Sequence, residues 1–190
     1  MRTAHLDGWP WLGAPLALDL ANSLVQIRPG ATRDLLNSEA QLDEWLAHQR
    51  GRLPRVRPEG NRLAAFRTLR DALHEALSSA AGGDPPPRSA IKAINAASSR
   101  SEGYLRVALR EGTPVVETAG SGTPLDRALS AIARSAIELL GGPDRGRLRV
   151  CGAPSCGMFY LGRADQEWCS TACGNRARAA RHYARRRSLT

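Results

Sequence analysis

Four cysteines near the carboxyl terminus have the spacing of a metal site. Cys151 and Cys156 are separated by four residues, Cys169 and Cys173 by three, and twelve residues lie between the two pairs. Two such pairs can surround one Zn²⁺ tetrahedrally, with each thiolate about 2.3 Å from the ion. Zinc suits this pairing better than iron, and clustered cysteines in a reducing compartment are more often metal ligands than disulfides. Because protein fills all four positions, we expect one structural zinc ion.

The residues around the cysteines predict a small treble-clef-like module. Residues 151–157 contain a proline and glycines, which suit a tight knuckle. The second pair has helical spacing, so a helix beginning near Ser170 would place Cys173 in its first turn, where the helix dipole favours a thiolate. Apolar side chains between the pairs would pack beside the metal; they are Phe159, Tyr160, Leu161 and Trp168.

The chain beyond the last cysteine predicts a helix that is positively charged on most of its circumference. Residues 145–190 hold ten arginines and two acidic residues, so they carry +8 of the formal net charge of +9. Helical spacing puts Arg178, Arg181 and Arg185 on one face. Guanidinium groups bind phosphates and guanine edges, which favours nucleic acid over a membrane surface. The residues predicted to contact nucleic acid are Arg176, Arg178, Arg181, His182, Arg185 and Arg186.

Three alanines of the same helix, Ala177, Ala180 and Ala184, form a narrow face that is expected to rest on the zinc knuckle. The alternative for this helix is a solvated terminal segment with no partner. We favour the partner, since the metal would anchor the helix at one end.

The amino-terminal part has no strong catalytic signature: no Walker loop, no Rossmann glycine pattern and no HisGluXXHis motif. Its histidines, His5, His48 and His74, are scattered, and we expect ordinary surface or partly buried side chains. Asp19 and Asn22 lie three apart in an apolar segment. Either they make hydrogen bonds inside the fold, which we favour, or they line a small-molecule pocket.

Periodicity predicts a mainly helical amino-terminal domain with a small sheet. Ser38 with Gln41 would form a capping box for a helix that carries Trp45, and Thr123 would cap a later one. The predicted helices cover residues 16–27, a segment after Ser38, 63–81, 87–98 and 124–140. A β-hairpin is predicted at 104–109 and 114–118. The GlyGlyPro at 141–143 marks the boundary between a domain of residues 1–143 and a zinc module of residues 144–190.

Composition bounds the class of protein. The 42% hydrophobic content suffices for a buried core. Residues 1–13 have no apolar run of signal-peptide length, and no apolar stretch is long enough for a membrane span. We therefore expect a cytoplasmic protein with no membrane partner.

These motifs resemble a known family. CysGlyAsnArg at 173–176, with TrpCysSer at 168–170 and ArgHisTyrAlaArgArgArg at 181–187, is similar to the CGNR zinc finger. LeuAlaLeuAspLeuAlaAsnSer at 16–23 and the segment 34–46 resemble the ABATE domain that usually precedes it. The resemblance implies a bacterial, stress-induced transcription regulator whose cysteines hold zinc and whose Arg176 and later arginines face DNA. The loop at 161–167 is shorter and less basic than in many members, so it contributes little to phosphate binding.

The sequence therefore predicts a mainly α (α+β) protein: a helical domain with a small hairpin, then a treble-clef-like Cys₄ zinc finger ending in a basic helix. As a regulator it would bind DNA, and its amino-terminal domain would sense a small-molecule effector or form a homodimer. Two alternatives stay open, a nucleic-acid-modifying enzyme with the zinc module as a clamp and a protein-interaction module. The residues do not separate DNA from RNA.

Overall fold

The computed structural model describes residues 4–6, 9–11, 15–28, 31–58 and 60–187, which form helices and short antiparallel hairpins. The helices are α1 (Leu16–Ala21), α2 (Glu39–His48), α3 (Arg62–Gly82), α4 (Arg88–Ser98), α5 (Pro124–Gly141) and α6 (Thr171–Arg187). The strands are β1 (Ala4–Leu6), β2 (Trp9–Trp11), β3 (Leu24–Arg28), β4 (Ala31–Asp34), β5 (Gly103–Arg110), β6 (Thr113–Gly120), β7 (Leu148–Val150) and β8 (Phe159–Leu161). A 3₁₀ turn, Pro143–Arg147, joins α5 to β7.

Within the described ranges the strands form four two-stranded antiparallel sheets, which pair β1 with β2, β3 with β4, β5 with β6, and β7 with β8. The mainly α class with small sheets is thus confirmed, although the β1–β2 hairpin was not predicted. None of the helices in the described ranges is long and apolar enough to cross a membrane.

The main core lies between the helices of the amino-terminal part. α3 packs against α4 and α5, and the short α1 packs against α3 and α5. Trp45 of α2 meets Phe66 of α3 edge-on, with ring centroids 5.8 Å apart. Two residues from beyond α5, Leu148 and Phe159, are buried in this same core. The segment that carries the cysteines is therefore packed against the helical part.

Predicted caps explain where two helices begin. Ser38 Oγ accepts a hydrogen bond from the Gln41 amide at 3.2 Å, but the Gln41 side chain bonds the Asn37 amide instead of completing a capping box. Thr123 and Asp126 do form a complete capping box at the start of α5. The predicted β5–β6 hairpin is also present and is longer than expected, with a turn at Glu111 and Gly112, whose φ angles are positive.

The predicted helix over residues 16–27 is wrong in its second half. α1 ends at Ala21, where Asn22 forms the C-cap, and the Ser23 hydroxyl donates to the Leu20 carbonyl at 2.7 Å. The chain then continues as β3, paired with β4. The apolar run masked the change, because buried helices and buried strands give similar short apolar patterns, and β-branched Val25 favours a strand.

Candidate zinc centre and arginine helix

The four cysteine sulfurs converge on one point. The Sγ atoms of Cys156, Cys169 and Cys173 are 3.5, 3.6 and 3.7 Å apart, and with Cys151 all four lie within 4.8 Å of one another. A tetrahedral zinc with bonds of about 2.3 Å has sulfurs about 3.8 Å apart, whereas a disulfide needs about 2.05 Å. The arrangement therefore fits one zinc ion and no disulfide.

A tight loop between β7 and β8 delivers the first two cysteines. The Cys151 amide donates to the Met158 carbonyl at 2.9 Å, and the Gly157 amide donates back to the Cys151 carbonyl at 3.0 Å. Ser155 and Gly157 have φ angles of 57° and 74°, so the chain doubles back through the left-handed region. This is the knuckle that the proline and glycines predict.

The start of α6 delivers the other two. Ser170 caps this helix, because its Oγ accepts a hydrogen bond from the Cys173 amide at 3.2 Å. Cys173 therefore lies in the first turn, as predicted, and Cys169 lies just before the cap. The two pairs thus come from a knuckle and a helix N-terminus.

Four thiolates in this position require a cation. Hydrogen bonds from Cys156 and Cys169 lower the pKa of Cys151 to about 2. The bond to Cys151 in turn raises the pKa of Cys156 to about 12, and bonds to Cys151 and Cys156 also raise the pKa of Cys169. Without added positive charge, one thiolate keeps its neighbours protonated. A divalent cation offsets this repulsion and allows all four to ligate.

Arg176 contacts the cysteine cluster directly. Its Nη2 donates to Cys173 Sγ at 3.1 Å, and this hydrogen bond raises the pKa of Arg176. Four thiolates around Zn²⁺ carry a net charge of about −2, so a guanidinium beside them lowers the electrostatic cost of the site. The sequence predicted Arg176 only as a nucleic-acid contact and missed this role.

Trp168 covers one side of the cluster. A Cβ on Gly174 would lie 3.1 Å from Trp168 Cδ1, so glycine at this position allows the indole to approach the helix closely. The Arg181 guanidinium lies 5.9 Å from the centroid of the same ring, within range of a cation–π contact. The indole therefore links the metal site to the first exposed turns of α6.

Beyond these turns α6 projects away from the fold. Residues 178–187 are all exposed, which corresponds to about 15 Å of helix at 1.5 Å per residue. Of the three alanines expected to rest on the knuckle, only Ala177 is buried; Ala180 and Ala184 are exposed, so that prediction is wrong for both. The exposed portion contains the predicted contacts Arg178, Arg181, His182, Arg185 and Arg186.

Two family profiles match the chain. Residues 14–143, more than half of the protein, match the ABATE family, described as a putative stress-induced transcription regulator. The chain belongs to the ABATE family. Residues 147–186 match the CGNR zinc finger. No curated protein matches the chain.

The ABATE and CGNR matches confirm the resemblance that the cysteines and residues 16–23 suggested. Together with the converging sulfurs, the CGNR match supports a single structural zinc. The four cysteines would hold it, and the ion would supply charge neutralisation and folding free energy with no open coordination position. The first family is described as a regulator and the second as a zinc finger, and neither is an enzyme family.

Asn22 of the ABATE region is bonded to the CGNR finger. Its Nδ2 donates to the Phe159 carbonyl at 3.0 Å, and its Oδ1 accepts from the Phe159 amide at 2.9 Å. Both groups are buried, and the His74 ring meets the Phe159 ring edge-on at 5.0 Å. Val25 also packs on the cluster that contains the cysteines. The Asn22 side chain therefore pairs with both backbone groups of Phe159, as a neighbouring β-strand would.

Asp19 lies one turn earlier in α1 and is also buried. Its Oδ2 accepts from Arg52 Nη1 at 2.5 Å and from Gln49 Nε2 at 3.5 Å. Asp19 and Asn22 thus have partners within the fold, the alternative that the sequence favours, and they point to different neighbours. A ligand pocket at these two residues stays a prediction.

Replacing Asn22 by alanine should weaken the contact between the ABATE region and the CGNR finger. The change leaves the buried amide and carbonyl of Phe159 without their partner, so the free energy of unfolding should fall by about 2–4 kcal/mol. Urea denaturation of the zinc-loaded protein measures this. The control is Asn95→Ala, an exposed asparagine of α4, which should change stability little. Equal stability of the two variants would contradict the proposed bonding.

Proposed function

We propose that this protein is a cytoplasmic bacterial transcription regulator that binds DNA through its zinc-anchored helix α6. The observation that carries the proposal is the exposed, arginine-rich segment 178–187 projecting from a helix whose first turn holds a metal ligand. The family description, a putative stress-induced transcription regulator, supports it.

The charge on α6 suits a polyanion. Between Thr171 and Arg187 the helix has no acidic residue, and its arginines include three on one face, Arg178, Arg181 and Arg185. Like charges this close repel one another, and DNA phosphates would relieve the repulsion while releasing condensed counterions. The helix is also narrow enough to enter the major groove, where arginine binds guanine O6 and N7.

The zinc centre would act as the anchor for this helix. Cys173 ties the first turn to the metal, while Arg176 bonds its sulfur and Arg181 stacks on Trp168. A helix held at one end loses less conformational freedom when it binds than a loose tail would. In this arrangement Arg176 positions the helix, and its predicted contact to DNA would involve only the part of the guanidinium not bonded to sulfur.

Residues 1–143 would supply regulation in this proposal. One short helix gives limited sequence specificity, so regulators of this kind commonly bind paired half-sites as dimers. The ABATE region would accordingly sense a small-molecule effector, form a homodimer or do both, and residues 144–190 would present α6.

A competition experiment tests the proposal directly. Labelled duplex DNA of mixed sequence is bound to the zinc-loaded protein, and unlabelled duplex DNA, duplex RNA and an acidic polypeptide are added as competitors. We expect duplex DNA to compete best. If the RNA or the polypeptide competes better at equal charge concentration, the DNA-binding assignment is wrong.

A further inference from the structure

An open groove of about 970 Å³ lies beside α2 and the loop that follows it. Its apolar wall is formed by Leu46, Leu53 and Val56, which are half-buried and pack on the main core. Binding pockets for small molecules commonly have volumes of about 300–1,000 Å³ and a largely apolar lining with a few polar groups. The groove therefore has the size of a ligand site, and its wall combines this apolar surface with polar groups.

Three arginines supply the polar groups of this groove. Arg50, Arg55 and Arg57 line it and are exposed, and within the described part of the chain none has an acidic partner within 4.0 Å. The acidic residue in the lining, Asp43, is bonded to the buried Arg62 at 2.6 Å. Guanidinium groups that line one groove repel one another, and a bound anion would offset that repulsion.

The loop that carries these arginines has a defined conformation. The amides of Arg52 and Leu53 both donate to the Gln49 carbonyl at 3.0 Å, and Gly51 has a φ angle of 84° that glycine adopts without strain. Arg50 and Leu53 also form an isolated β-bridge. The backbone of the turn that carries Arg50 is thus ordered, and the chain from Leu53 to Pro58 continues along the same groove.

The same loop is bonded to α1 and, through α1, to the zinc finger. Arg52 donates to Asp19, and three residues later Asn22 makes its two hydrogen bonds to Phe159. All three contacts involve buried or partly buried groups. A change in the loop would therefore act on the finger through two side-chain contacts and one short helix.

We propose that this groove binds an organic anion, a small molecule with carboxylate or phosphate groups on an apolar body, and that its occupancy is transmitted to the zinc finger through α1. The regulatory meaning of this site rests on the proposed function. Binding of the anion itself does not, because no DNA contact is needed for it.

The probe for the test is 8-anilinonaphthalene-1-sulfonate, an anion with apolar rings whose fluorescence rises on binding. The zinc-loaded wild type should show one saturable site. The triple variant Arg50→Ala/Arg55→Ala/Arg57→Ala should bind the probe about tenfold or more weakly, because charge-assisted contacts are lost. The control triple variant Arg33→Ala/Arg88→Ala/Arg145→Ala removes the same charge from exposed positions elsewhere and should bind like the wild type.

Several results would overturn the site. The first is that the wild-type protein does not bind the probe. The second is that the groove triple variant has a native circular dichroism spectrum and still binds the probe as the wild type does. The third concerns the exposed apolar face of the β5–β6 hairpin. If the variant Val107→Ser/Leu109→Ser loses probe binding, the probe binds to the hairpin and not to the groove. Finally, a groove triple variant that loses duplex affinity but keeps the probe would make these arginines DNA contacts.

Displacement of the probe by citrate or by phenyl phosphate distinguishes a carboxylate ligand from a phosphate ligand.

Transmission from the groove to the zinc finger is tested by hydrogen exchange at the Phe159 amide. This exchange should slow severalfold when the probe saturates the groove and should not respond in Asn22→Ala. Unchanged exchange in the wild type would disprove transmission. Neither probe binding nor hydrogen exchange uses DNA, so a protein that binds the probe in the groove but no duplex would defeat only the regulator proposal.

Discussion

Replacing Cys173 by serine should abolish tight zinc binding and unfold the CGNR finger while α1 to α5 stay folded. Zinc contributes about 10–16 kcal/mol to the folding of small zinc-finger peptides, and this finger is too small to replace that energy with its own core. The change also removes the ligand at the start of α6 and the sulfur that Arg176 contacts at 3.1 Å. DNA binding should be lost with the finger.

Zinc content per chain, far-UV circular dichroism and limited proteolysis measure these effects together. We expect less than one zinc per chain at equilibrium with a competing chelator, rapid cleavage within residues 151–187 and most of the helical signal retained. The matched control is Ala172→Ser, an exposed position in the same turn of α6. A Cys173→Ser protein with wild-type zinc content and stability would show that the four-cysteine assignment is wrong.

The triple variant Arg178→Ala/Arg181→Ala/Arg185→Ala should lose most of its affinity for duplex DNA and keep its zinc. A single arginine that reads a base is worth about 1–3 kcal/mol, so the three together should cost at least about 3 kcal/mol, roughly a hundredfold in Kd. The dependence of log K on log salt should also become shallower by about 0.9 for each phosphate contact removed. Alanine favours helix, so α6 itself should persist.

Fluorescence anisotropy with duplex fragments at two salt concentrations measures both quantities. The control for net charge is again Arg33→Ala/Arg88→Ala/Arg145→Ala, whose side chains make no hydrogen bond or ion pair within the described residues. A loss of affinity that is equal in the two triple variants would mean that overall charge, and not α6, determines binding.

Local chemistry made the zinc centre predictable from sequence. Each cysteine pair is brought together by a few residues, so the spacing, the knuckle with its proline and glycines, and the cap at Ser170 are sufficient to place the sulfurs of each pair together. The helix starts at Ser38 and Thr123 were predictable for the same reason, because a cap bonds an amide only three residues away.

Contacts between distant residues explain what the sequence did not show. Asn22 and Phe159 are 137 residues apart, and neither residue type indicates that one side chain bonds both backbone groups of the other. The end of α1 likewise depends on a contact outside the helix, because the residues after it pair with β4 as strand β3. This pairing overrides an apolar run that is compatible with a helix. Ala180 and Ala184 were misplaced because helical periodicity gives a face but not the point at which α6 leaves the fold.

The groove arginines were visible in the sequence, since residues 50–57 contain four arginines and no acidic residue. Most of the net charge, however, lies in residues 145–190, so composition alone does not single out this segment. Only the folded loop shows that three of these side chains line one groove while Arg52 bonds Asp19.

DNA binding by the zinc-anchored helix is tested by the anisotropy of labelled mixed-sequence duplex DNA titrated with the full-length protein, with and without a strong zinc chelator. We expect binding that weakens steeply with salt and disappears when zinc is removed, because α6 loses its anchor. If zinc-loaded protein fails to bind duplex at low salt, or if the chelator leaves binding unchanged, then α6 is not a zinc-anchored DNA-binding helix.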